Sequence, residues 1–262
     1  MDIARQIAKY EERGFSRERA EANALIENAA LTIFRDFPDA FVLFGGATLV
    51  LYHESVRHSA DLDLLPRSSG LPSHEEMIAS LRRDLGAVAQ VIGLGDLQFE
   101  TENSRAREGK IYITTSTGQR LFRVDLTRLG SAIESEIEDH PVYGESGVSA
   151  VIKSATKELL LLQKAEAFLL RRAVKARDAY DVHLLLSIGA TLNPILRGHL
   201  QDTILANEID SGTISDRISG VNHGLCRLEL KPILPPELYS ALERANFKPL
   251  RDGVGELYKE WL

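Results

Sequence analysis

One cysteine, Cys226, one tryptophan, Trp261, and two methionines stand in a chain of 262 residues. A lone cysteine excludes an internal disulfide and a cysteine-based zinc cluster, so packing is its expected role. Long apolar runs are missing too. The longest, AFVLFGGATLVLYH and LLLLQ, fall short of the roughly 18–20 residues a membrane span needs, and no membrane contact is expected. No basic-then-apolar leader opens the sequence, which makes the cytoplasm the expected location. Positive charge is in deficit: 31 Lys plus Arg against 38 Asp plus Glu leave a net of −7. Bulk charge therefore does not attract nucleic acid, and any contact with RNA or DNA must use a local basic patch. What is present, 44% hydrophobic and 26% charged residues, excludes disorder, collagen and fibres. The length suits one large domain or two modest ones.

Two textures divide the chain. Residues 2 to about 37 place Ile26, Ala30, Ile33 and Phe34 at helical spacing, which predicts one or two helices ending before Pro38. Phe41 to Phe44 reads as a buried strand running into the Gly45-Gly46 turn, a helix over 48–53 follows, and residues 62–65 form a second strand. Ser73 and Glu76 make a capping box for a helix over 74–85 ending near Gly86. Residues 88–93, 97–101, 109–115 and 120–126 alternate as strands of an antiparallel sheet. From about residue 148 helices take over, at roughly 149–171, 176–187, 193–207, 212–223, 236–246 and 251–262, with Tyr258 and Trp261 anchoring the last. The expected architecture is α+β over 1–147 followed by an all-α bundle over 148–262, with an active site where the two meet.

The chemistry concentrates in Phe41 to Leu65. Asp61 and Asp63, at i and i+2 of a strand, share one face and can reach a single hard cation such as Mg²⁺ or Mn²⁺. Gly45 and Gly46 before a helix let backbone N–H groups approach phosphate oxygens, where the helix N-terminus favours negative charge. Each feature alone is ordinary, a solvated strand edge or a plain turn. Their order within one strand-helix-strand unit describes a metal–triphosphate site. Asp125, in LFRVDLT, becomes a third carboxylate if its strand pairs beside that of Asp61 and Asp63; otherwise it is a solvent-facing acid beside Arg123 or Arg128. Three carboxylates can hold two metals, and Asp125 can also take the proton of an attacking hydroxyl.

The helical part carries the most basic stretch, Lys153, Lys157, Lys164, Arg171, Arg172, Lys175 and Arg177, which can face polyphosphate or RNA or form a charged helix surface. Lys164 follows four leucines, so its stem fits the core edge and its ammonium a cleft. Arg177, Asp178 and Asp181 share a helical surface, either as an ion pair or as support for the catalytic groups. His53, His58 and His183 show no metal-ligand spacing and read as core-edge or surface histidines. The Gly-Leu-Gly of VIGLGD lacks the third glycine and the helix of a dinucleotide fingerprint.

These residues resemble the nucleotidyltransferases of the AbiEii/MenT-like toxin group, in the DNA polymerase β-like superfamily, from about Phe41 to Leu186. Gly45, Gly46, Leu49, Arg57, Ser59, Asp61 and Asp63 match its first motif, Asp125 its later acidic strand, Lys164 its helical lysine, and Arg177, Asp178 and Asp181 its Arg-Asp-x-x-Asp motif. The family commonly has Ser or Thr after the glycines, where this chain has Ala47 and then Thr48. The resemblance implies a mixed or antiparallel nucleotidyltransferase sheet and transfer of a nucleoside monophosphate from an NTP to an acceptor hydroxyl. It further implies a tRNA acceptor and a cognate antitoxin as partners. On that reading Asp61, Asp63 and Asp125 bind metal, Gly45, Gly46, Thr48, Arg57, Ser59 and Lys164 hold the nucleotide, and Arg177, Asp178 and Asp181 support the site. The alternatives are a small-molecule nucleotidyltransferase, a nucleotide- or RNA-binding module weakened at Ala47, and a haloacid-dehalogenase-type phosphatase. The last needs an apolar strand before its first Asp, and RHSA stands there instead.

Overall fold

The structure, a computed structural model, describes residues 2–67, 70–105, 108–127, 136–144 and 147–262. Its compact units are Met1–Ala155 and Thr156–Leu262. The expected α+β sheet part and helical part are both present, and the sheet is mixed. Among the described residues no helix is long and apolar enough to cross a membrane.

The first unit opens with helices α1 (Ile3–Glu12) and α2 (Arg17–Asp36), then β1 (Phe41–Phe44), α3 (Gly45–Tyr52), β2 (Asp61–Pro66), α4 (His74–Val91), β3 (Leu97–Arg105), β4 (Glu108–Thr115), β5 (Arg120–Leu126), β6 (Ile137–Gly144) and β7 (Gly147–Ala155). The strands form one sheet in the order β3-β4-β5-β2-β1-β7-β6. β1 is antiparallel to β2 and parallel to β7, and β2 runs parallel to β5. Alternation along the strands decides the faces. Leu62, Leu64, Phe122, Val124, Ile111 and Ile113 point into a core shared with Ile33 and Phe34 of α2 and Met77 and Leu81 of α4. Asp61, Asp63, Arg123 and Asp125, one residue out of step, lie on the opposite face.

Several elements differ from the sequence expectation. The capping box of Ser73 and Glu76 is present, but α4 runs on through Gly86 to Val91, so residues 88–91 are helical and not a strand. A glycine inside a helix costs about 1 kcal/mol relative to alanine, while burial of Leu85 and Val88 on the stripe begun by Met77 and Leu81 stabilises by roughly 1.5–3 kcal/mol each. Residues 149–155, expected to be helical, are strand β7, and the helix starts only after Thr156, whose side chain accepts from the Leu159 N–H. Strand β6, for which no expectation stood, carries Pro141 opposite Val151. Proline is tolerated there because β6 is the outermost strand and an edge needs no donor on its free side.

The second unit consists of α5 (Lys157–Leu170), α6 (Ala176–Ser187), α7 (Pro194–Ala206), α8 (Ser211–Gly220), α9 (His223–Leu230), α10 (Pro236–Arg244) and α11 (Lys248–Tyr258). The helix expected over 212–223 ends at Gly220, and a further helix for which no expectation stood, α9, starts beyond it because Asn222 caps it by accepting from the Leu225 N–H. The last helix starts at Lys248 rather than 251, with Pro249 in its first turn, where no intrahelical donor is lost. The expected anchor is realised by Tyr258, fully buried, whose hydroxyl donates to the Ala165 carbonyl at 2.7 Å. Trp261 packs edge-on against its ring.

Candidate active site

β1 delivers the chain directly into α3, and the turn is made by glycines that cannot be replaced without collision. Gly45 has φ +75°, and a Cβ there would overlap Asp63 Oδ2. A Cβ on Gly46 would overlap Ser59 Oγ and come within 2.8 Å of a terminal nitrogen of Arg57. The first motif is thus one packed unit, with Asp63 against Gly45 and with Ser59 and Arg57 against Gly46. Arg57 and Ser59 are buried, and an Arg57 terminal nitrogen donates to the His58 carbonyl at 3.0 Å. The residue before the helix, Phe44, offers no side-chain cap to the first N–H groups of α3. Ala47 and Thr48 both lie inside the protein, and Thr48 Oγ1 has no hydrogen-bond partner among the described residues. The hydroxyl beside the turn is that of Ser59.

The carboxylates come together through strand register. In the parallel pairing of β2 and β5, Asp63 lies opposite Asp125 and Asp61 opposite Arg123. Asp61 and Asp125 are 34% and 17% exposed, so both reach solvent. Arg123 stands between them: Nη2 donates to Asp61 Oδ2 at 3.2 Å and lies 3.5 Å from Asp125 Oδ2, while Nε lies 3.1 Å from Asp61 Oδ1. Thr127 Oγ1 donates to Asp125 Oδ1 at 3.4 Å. Arg128, the other cation considered beside Asp125, lies outside the described residues. The donor set is all oxygen, hard and partly open to water, which suits Mg²⁺ or Mn²⁺ and not a soft metal. Among the described residues no three His, Cys, Asp or Glu side chains form a ready metal cage as they stand.

In the helical unit Lys164 of α5 lies 2.8 Å from Asp181 Oδ2 of α6, the lysine 12% exposed and the aspartate fully buried. Asp178, one turn earlier on α6, is 1% exposed and has Arg171 Nε at 2.9 Å from Oδ2, aligned too poorly for a hydrogen bond. Burial raises its carboxyl above the ordinary value of 3.8, and the nearby charges of Lys164, Arg171 and Arg177 oppose this only in part. The basic stretch is largely spoken for inside the protein. Lys153 pairs with Asp139 at 3.0 Å, Lys157 donates to the Ile188 carbonyl at 3.1 Å, and Lys175 pairs with Glu229 at 3.0 Å.

Burial, with Arg19 and Arg57 close by, pushes the His58 imidazole down to about 4, so it is neutral at physiological pH. A cavity of 360 Å³ opens beside it, between Arg19 and Leu25 of α2, Leu94, Ala60 and Leu121. No sequence signal marked that cavity, because its walls come from four separate segments. His53 and His140 both approach Glu138, at 3.7 and 3.4 Å, at the outer strands. His183 is depressed by burial alone.

A glycine turn into a helix, followed by a paired strand with two carboxylates and a neighbouring strand with a third, is the arrangement expected of a nucleotidyltransferase. The comparisons identify the family. The family model described as "Nucleotidyl transferase AbiEii toxin, Type IV TA system" matches residues 30–257. The chain belongs to this AbiEii nucleotidyltransferase family of toxin–antitoxin toxins. Among solved structures it is similar to a candidate nucleotidyltransferase from H. pylori, at 17% identity and TM-score 0.58, covering 94% of this chain and 97% of the other. It is also similar to JHP933 from Helicobacter pylori, at 15% identity and TM-score 0.57, covering 94% of each chain. At such identities the likeness carries the fold. No curated protein matches the sequence.

Proposed function

We propose that the protein transfers a nucleoside monophosphate from an NTP to the hydroxyl of an RNA acceptor, tRNA in the first place, and that a cognate antitoxin restrains it. The observation that carries this reading is the β2–β5 register, which sets Asp63 beside Asp125 on the face that Asp61 shares. A divalent cation held by Asp61, Asp63 and Asp125 would neutralise phosphate charge and polarise the bond being made and the bond being broken.

The chain's own residues supply the rest. The first turn of α3 directs its N–H groups and the positive end of the helix towards the triphosphate, and Gly45 and Gly46 let Asp63, Ser59 and Arg57 pack directly against that turn. Ser59 supplies a hydroxyl next to the turn, in the role that Ser or Thr after the glycines would otherwise fill at Ala47, and Arg57 braces the turn from behind. Asp125 accepts the proton of the attacking hydroxyl. The hydroxyl oxygen forms a bond to the α-phosphorus, the bond from that phosphorus to the bridging oxygen breaks, and pyrophosphate leaves with the electron pair. In the helical unit Lys164, paired with Asp181, is a phosphate-binding cation, and Asp178 and Arg177 carry the supporting charges beside that pair.

The test is incubation of the purified protein with Mg²⁺ and each α-labelled NTP, with and without total tRNA, beside Asp61→Ala/Asp63→Ala. Label on tRNA that requires both carboxylates is the expected result and reads out the base preference. Label appearing on a small molecule instead would move the acceptor class, and absence of transfer to any acceptor alongside Mg²⁺-dependent NTP binding would make the site a binding module.

A further inference from the structure

We propose that Arg123 is a built-in counter-ion of the carboxylate cluster, occupying the position against Asp61 and Asp125 that a divalent cation needs, so that cation binding requires its guanidinium to swing away. The inference rests on reading Asp61, Asp63 and Asp125 as the metal-binding carboxylates.

The placement follows from the strand pattern. Arg123 is two residues before Asp125 on β5, hence on the same face, and the register sets it directly opposite Asp61. Its side chain reaches both acids at once, with contacts of 3.1 and 3.2 Å to the two oxygens of Asp61 and of 3.5 Å to Asp125. One nitrogen, Nη2, hydrogen-bonds Asp61 Oδ2, while Nε lies close to Oδ1 without hydrogen-bond alignment, so the guanidinium covers by charge and position the oxygens a cation would use. Release is feasible. Arg123 is 30% exposed, and pairs at such exposure are weak enough to exchange, generally worth less than a tenfold change in equilibrium. On β4, Tyr112 lies opposite Arg123 with its hydroxyl bound to Glu102 and its ring under Arg120 at 4.4 Å. Lys110, opposite Asp125, is the cation that β4 places on this face, and it lies 4.0 Å from Glu102. Neither replaces Arg123 at Asp61.

The device has a clear consequence. Three acids on one sheet face repel one another without a cation, and Arg123 relieves that repulsion in the metal-free protein at the expense of metal affinity. A bare cation therefore loads poorly, whereas removal of the guanidinium opens the site.

Mn²⁺ titration of the nucleotide-free protein, followed by the electron paramagnetic resonance signal of free Mn²⁺, tests this in the wild type, Arg123→Gln, Arg123→Lys and Asp63→Ala, with circular dichroism to verify folding. Arg123→Gln should bind Mn²⁺ roughly fivefold more tightly than the wild type, with Arg123→Lys between them. Without metal, Arg123→Gln should melt below the wild type, and saturating Mn²⁺ should raise its Tm by more. Equal or weaker Mn²⁺ binding in Arg123→Gln, with binding still lost in Asp63→Ala, overturns the role of Arg123 and leaves the metal site standing. Mn²⁺ binding indifferent to Asp63→Ala in every background overturns the metal-site reading and this inference with it.

Discussion

Gly45 separates turn geometry from general stability, since its φ of +75° and the Asp63 carboxylate both exclude a side chain. Gly45→Ala should therefore displace Asp63 as well as strain the turn, and single-turnover transfer should fall by about 100-fold or more while circular dichroism stays native. Asp63→Ala should lose transfer to at least the same extent, about 100-fold, with little change in Tm, because a partly solvated carboxylate contributes to chemistry more than to packing. Asp178 predicts the opposite behaviour. Its folded carboxyl titrates above the ordinary value of 3.8. Between those two values the folded state binds more protons than the unfolded one, so its contribution to stability falls as pH rises. Asp178→Asn should thus melt at a higher temperature than the wild type at pH 7. The gap should close as pH falls towards 4, and a scan of Tm against pH reads it directly. A buried acid that costs stability fits a functional role for α6, which the transfer rate of the same variant measures.

Helix α6 shows how one element is held by another. The residue before it, Lys175, makes no side-chain cap, and Glu229 of α9 fills the gap by accepting from the Ala176 N–H at 2.8 Å and pairing with Lys175. Glu229→Ala should cost about 1 kcal/mol in a urea unfolding curve, the ordinary worth of an N-cap. Local pattern could not reveal that contact, since the acid lies more than fifty residues away. The extension of α4 and the start of α5 depart from the local pattern for a related reason. Gly86 and the apolar run before Lys157 carry local signals that burial on a shared stripe and pairing of β7 with β1 override.

Over the chain as a whole the net charge of −7 sets the terms for RNA. The most basic stretch of the chain has Lys153, Lys157, Lys164, Arg171 and Lys175 engaged with acids or carbonyls of the protein. Few phosphates can then be contacted. A protein with six to ten phosphate contacts loses roughly 10³–10⁵ in affinity between 50 and 200 mM salt. Here tRNA binding should weaken by no more than about tenfold over that range, as filter binding at the two salt concentrations would show.

The glycine pair, the alternating Asp-Leu-Asp, the Arg-Asp-x-x-Asp spacing and the leucine run before Lys164 were legible because each depends on local periodicity: 2 for a strand, 3.6 for a helix, and a turn that tolerates no side chain. They determined the family, the α+β then helical order, and the identity of the candidate residues. Whether Asp125 stood beside Asp63 depended on which strands pair, and so did the placement of Arg123 across from Asp61. Pairing partners are chosen by the burial of Leu62, Leu64, Val124 and Leu126 on the other face of the sheet. That choice involves residues some sixty positions apart, beyond any local pattern, so only the tertiary structure could turn two separate acidic strands into one cluster with its own counter-ion.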